Sequence, residues 1–285
     1  MKKPQWITVG VAILATIALY AATQQQLFGT KHQHTAEAAH SNAATEPALS
    51  TDSILLRARQ SLSPAQATRL SMMEHSISRG DVNQQKIGVY HQLAHFWADT
   101  AKIFEPYAWY TAESARLENS EKSLTFAARL FLDNLKMEDD PGLKRWKALQ
   151  AEDLFQRSLK INPANDSSEV GLGELYLYGG IGEGPMQGIM KIRQVAEKDS
   201  TNIYAQLTLG HASIASGQYD KAIGRFLTVL HLQPNNLEAA LSLAEAYEQT
   251  GNKAAAIEWY KKSLPLINIA GLKKEVDNRI IELSK

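Results

Sequence analysis

Two histidines stand one helical turn apart in His91-Gln-Leu-Ala-His95, a spacing that would present two imidazoles on one face to a metal ion. A zinc metalloprotease also needs a glutamate at the second place as general base. Gln92 stands there and cannot accept a proton, and no third ligand follows it in sequence. The pair therefore reads first as structural or surface histidines, with a metal- or small-ligand-binding face at His91/His95 as the alternative. The run Gly179-Gly-Ile-Gly-Glu-Gly-Pro185 has the glycine density of a phosphate cradle. Such loops follow a strand, and the P-loop form closes on Gly-Lys-Ser/Thr; here a helical pattern precedes and a proline follows. It reads as a widened turn between helices, or as an exposed loop that touches a partner. Phe96, Trp97, Phe104, Tyr107, Trp109 and Tyr110 recur at helical spacings, which suits packing between hairpins better than a ligand cage.

The 285 residues contain no cysteine, which removes disulfides, thiolate metal sites and cysteine nucleophiles. The sequence shows no nucleophile–base–orienter order, although such groups meet in space and not along the chain. A protein without catalytic residues, cofactor or bound metal is expected. Thirty basic and 30 acidic residues give a formal net charge of zero, so no basic excess exists to neutralise phosphates and nucleic acid is not an expected partner. Hydrophobic content of 44% leaves ample material for a core.

The elements that would position these residues begin after a distinctive start. Lys2 and Lys3 precede the uncharged stretch Trp6–Ala22, which as a helix rises about 25 Å, within the range that spans a membrane. A cleaved signal peptide is the rival reading, with a buried helix behind it. Cuts after Ala22 or Tyr20 place tyrosine where a small residue is wanted, which favours an uncleaved anchor. The paired lysines favour a cytoplasmic N-terminus, with the remaining chain on the extracytoplasmic, periplasmic side. Residues 23–50 are polar and without period, and read as a disordered linker in which His32, His34 and His40 are ordinary polar residues.

Beyond residue 50 the periodicity is helical throughout. Two blocks, 203–236 and 237–270, align at a spacing of 34: Leu209 with Leu243, Gly210 with Ala244, Gly217 with Gly251, Ala222 with Ala256, Phe226 with Tyr260. Small residues stand where two helices must approach, and Pro234 stops the second helix. This pattern resembles the tetratricopeptide repeat (TPR), with small residues at the eighth and twentieth places and an aromatic at the twenty-fourth. A third block, 166–202, fits once its turn holds three extra residues inside the glycine run. Upstream, Leu124–Leu135 pairs with a helix through Ala151, Phe155 and Pro163 across the polar insert Lys136–Lys144. Gln85–Thr100 pairs more weakly with Pro106–Leu117, and 51–78 reads as a hairpin broken at Pro64. Gly271 opens a final capping helix.

The expectation is an all-α, TPR-like solenoid of helical hairpins behind a transmembrane helix and linker. Its segments are 1–22, 23–50, degenerate hairpins at 51–165, repeats at 166–270, and a cap at 271–285. The resemblance implies that the first helix of each repeat lines a groove. Its exposed places carry Val170, Glu174, Leu177 and Tyr178, then Tyr204, Leu207, His211 and Ile214, then Glu238, Leu241, Glu245 and Glu248. Glutamate, histidine and glutamate at the ninth places oppose an anionic peptide tail and suit a segment with apolar anchors and a basic residue. The function implied is that of a membrane-tethered adaptor for a protein or peptide in the cell envelope. A self-associating structural subunit is the further alternative.

Overall fold

A computed structural model describes residues 49–77, 83–182 and 184–285. The expected anchor at Trp6–Ala22 and the linker up to residue 48 lie outside them. Among the described residues no helix is long and apolar enough to cross a membrane. Every regular element among them is helical, as the periodicity predicts: α1 (Thr51–Gln60), α2 (Pro64–Ile77), α3 (Asn83–His95), α4 (Phe104–Glu118), α5 (Glu121–Leu135), α6 (Pro141–Ile161), α7 (Asp166–Tyr178), α8 (Pro185–Lys198), α9 (Ile203–Ala215), α10 (Tyr219–Leu232), α11 (Leu237–Gln249), α12 (Lys253–Ser263) and α13 (Ala270–Leu283). They pair in chain order, α3 with α4, α5 with α6, and so on to α11 with α12. By internal contacts they divide between Leu232 and Gln233 into two compact units, a boundary that falls inside the 166–270 block.

In the unit ending at Leu232, successive hairpins stack, with α5 against α7 and α7 against α9. One cluster fills the space between α4, α5, α6 and α7 with Phe131, Trp146, Leu154, Phe155 and Leu175. A second, of Val170, Ile192, Val195, Ala205 and Leu209, joins α7 and α8 to α9. The three-residue insertion keeps the small-residue register: a Cβ built on Gly173 would stand 2.8 Å from the Gly188 carbonyl oxygen, so the backbones of α7 and α8 touch there. At Gly210 the same closeness is filled by the Phe226 ring, 2.5 Å from where a Cβ would stand. Asn165 and Asn202 cap α7 and α9 by accepting from the N–H three residues on, at 2.9 and 3.0 Å. A buried hydroxyl network of Thr125, Ser158 and Ser168, with bonds of 2.8–3.0 Å, joins α5, α6 and α7. Lys147, which is 1% exposed, is neutralised by Glu105 at 3.0 Å and by Glu138. Removing either acid would leave its charge poorly compensated in the interior.

Three expectations shift. Leu49 packs on the core and Ser50 caps α1, so these two residues belong to the folded unit and not to a linker. The last four residues of the expected insert 136–144 are helix, because Asp140 caps α6 and Pro141 opens it. The helix expected through Thr100 changes to a π turn at Phe96–Ala101, ended by Lys102 with φ of 60°.

In the second unit, α11 packs on α12, and Asn236 and Asn252 repeat the capping bond at 2.9 and 3.1 Å. Val276 of α13 is buried, as a capping helix requires.

Candidate functional site

The first helix of each hairpin supplies the candidate surface, and side chains from α5, α7 and α9 meet on it. Glu174 of α7 is only 7% exposed. Its carboxylate pairs with Lys136, just past α5, at 2.7 Å, and accepts a hydrogen bond of 2.5 Å from the Tyr204 hydroxyl of α9. The Arg129 guanidinium of α5 lies over the Tyr204 ring, 4.3 Å from its centroid. Burial, and then the Glu174 charge, push the Tyr204 hydroxyl far above its ordinary value. The same two causes raise Tyr178 to about 12. Both phenols are therefore neutral donors at physiological pH.

The structure thus brings Glu174, Tyr178 and Tyr204 together, and corrects what Glu174 does. Its charge is already matched by Lys136, so it does not repel an anionic segment as its place in the repeat suggests. Sequence reasoning missed Arg129 and Lys136. Extending the register upstream finds the first of them: with Ala128 at the eighth place of α5, Arg129 is the ninth.

The remaining expected residues separate. Val170 is 0% exposed and lies in the core with Ile192 and Ala205, so it is not available to a ligand in this structure. Leu207 is also buried. His211 is half-buried with its ring centroid 5.3 Å from that of Phe226, and Ile214 is half-buried on the next turn. On α11, Leu241 and Glu245 are half-buried. Glu248 is engaged within its own unit, accepting from Arg279 of α13 at 3.0 Å and from the Tyr260 hydroxyl at 3.3 Å. That makes it a fastening for the cap.

His91 and His95 turn to different carboxylates. His91 Nε2 lies 2.9 Å from Glu118 Oε1, whereas His95 Nδ1 lies 3.3 Å from Asp99. Among the described residues no three metal-ligating side chains converge. Ser114 completes a triangle: its Oγ is 3.0 Å from the same His91 Nε2 and donates to Glu118 Oε1, also at 3.0 Å. A serine–histidine–acid relay places acid and serine on opposite ring nitrogens. Here both address one nitrogen, so the triangle orients Glu118 and does not relay a proton from Ser114 to His91.

Antiparallel helical hairpins closed on small residues, with the first helices α5, α7 and α9 packed in succession in the unit ending at Leu232, define a helical-repeat fold. Residues 207–268 match the tetratricopeptide repeat family. Over that stretch the chain is similar to a repeat family whose members are generally protein-interaction modules. Its fold is similar to that of a tetratricopeptide repeat protein from Parabacteroides merdae, at 12% identity and a TM-score of 0.53, over 81% of this chain and 85% of that one. Looser likenesses reach a thermophilic TPR protein of Thermus thermophilus (16% identity, TM-score 0.48, 71% and 98% covered) and YrrB, a TPR protein with an unusual peptide-binding site (15%, 0.44, 72% and 97%). No curated protein matches the sequence.

Proposed function

We propose that this protein is a non-enzymatic adaptor, held to a membrane by Trp6–Ala22, whose folded part captures a protein or peptide segment on the extracytoplasmic side. The observation that carries the reading is the array Arg129–Tyr204–Glu174–Lys136, which fixes charged and aromatic groups across three successive hairpins. Side chains ordered before a ligand arrives reduce the entropy lost on binding. The uncharged stretch near the N-terminus and the two lysines before it support the tether and its orientation.

The test places a photo-crosslinking amino acid at Arg129 or His211 on first helices, and at the exposed Met190 on a second helix. Crosslinking is run on carbonate-washed membranes, in which the full chain should remain. Partner adducts are expected from positions 129 and 211 and not from 190. Adducts from 190 alone would move recognition to the second helices, and release of the intact chain by carbonate would remove the tether.

A further inference from the structure

Between α3, α4 and α5 lies a cavity of about 270 Å³. Pockets for drug-sized ligands run from roughly 300 to 1,000 Å³, so this one suits a single long side chain better than a cofactor. Glu118 lines it, and among the described residues its ion partner is His91 alone, with no lysine or arginine in range. Burial works to raise the Glu118 pKa, but hydrogen bonding from His91, Ser123 and Ser114 outweighs it and leaves the carboxyl below its ordinary range. The group is therefore an anion at neutral pH, already oriented by the His91–Ser114 triangle. A second negative charge acts at the Tyr107 wall: after burial, the Asp99 carboxylate is what raises the Tyr107 hydroxyl. Phe126, 57% exposed, adds an aromatic face with room for a partner.

We propose that this cavity receives a basic side chain of the captured peptide, arginine above all, with its guanidinium paired to Glu118 and lying against Phe126. The assignment rests on the adaptor reading and gives it a recognition chemistry. Arginine is preferred over lysine because its planar fork both pairs with a carboxylate and stacks on a ring. The pocket offers the cation a fixed acid, hydroxyl neighbours and an apolar wall, with no resident lysine or arginine to displace.

The probe is N-acetyl-arginine amide, set against its neutral isostere N-acetyl-citrulline amide, titrated into the full chain in detergent while the His91 imidazole signals are followed by NMR. Arginine should bind about tenfold or more tighter than citrulline. Glu118→Gln, which keeps the volume and can still bond Ser114, should abolish that preference with helicity unchanged. Phe126→Ala, at an exposed position, should weaken arginine binding about two- to fivefold. Equal binding of the two amides, or an arginine preference that survives in Glu118→Gln, overturns the proposal. Groove crosslinks from positions 129 and 211 are scored separately. If they persist without any arginine preference, the cavity assignment alone falls. An arginine preference without those crosslinks overturns the adaptor reading, and with it the peptide origin of the arginine.

Discussion

The α7/α8 and α3/α4 hairpins share a register and use it differently. At the eighth place α7 has Gly173, whose backbone meets Gly188 of α8. α3 has Ala94 at the corresponding place, and Ala94 borders the 270 Å³ cavity. One hairpin shuts its helices together, while the other opens a pocket beside them and ends its first helix in a π turn. The repeat register thus fixes which residues meet, and the residues at those places decide whether the meeting is a contact or a concavity. Tight closure supplies scaffold, and loose closure supplies a place for a ligand.

Tight closure recurs in α9/α10, where the Phe226 ring fills the space over Gly210, and the largest expected effect is there. Phe226→Ala should cost ~3–5 kcal/mol, read as a lower unfolding midpoint in denaturant. The loss should be non-additive with Gly210→Ala, because the added methyl occupies space the ring has vacated. Additive effects would mean that the two residues do not share that space.

Gly188→Ala should cost ~1–3 kcal/mol, since its Cβ would stand 2.3 Å from the Gly173 carbonyl oxygen. Gly88→Ala is the matched change in the open hairpin, where an added Cβ meets nothing within 4 Å, and should stabilise by up to ~1 kcal/mol of helix propensity. If Gly188→Ala proves as mild as Gly88→Ala, the contrast between the hairpins is lost.

The smallest effect is in acid. Asp153 is raised by burial but pulled down further by hydrogen bonds from Arg157 and Arg116 at 2.8 and 3.0 Å, for a net value below the ordinary 3.8. A carboxyl depressed by folding stabilises above its unfolded pKa, and that contribution fades as pH falls through the folded value. Native-state hydrogen exchange should show α4 and α6, which this group joins, losing protection below about pH 4, with a flatter profile in Asp153→Asn. An unchanged profile in that variant would remove Asp153 as the cause.

Much of the fold was legible because it is written in local signals. The 34-residue spacing, the small residues at 173 and 210, and the stop at Pro234 each act within one hairpin. The site was less legible because its decisive contacts join hairpins. Nothing in the sequence near Glu174 announces that Lys136, 38 positions earlier, neutralises it. Val170 occupies a nominal groove place yet faces Ile192 and Ala205, since how far a helix is rotated into its neighbours is a property of the stack. Ser114 and Glu118 escaped notice for the same reason: their partner His91 comes from another helix, and no short motif joins them.

The contacts of Leu49 and Thr51 have a mechanical meaning. Leu49 packs against Gly142, and the Trp146 indole donates to the Thr51 hydroxyl at 3.0 Å, across 95 residues of chain. Closing so long a loop costs chain entropy that the contacts within one hairpin do not, so α1 is expected to dock after α6 has been made. A pull arriving along the chain from the N-terminal side reaches this clasp before it reaches any stacked hairpin. The contacts to Trp146 and Gly142 are therefore the first that such a pull loads, ahead of the buried Ile54 and Ala58 further along α1.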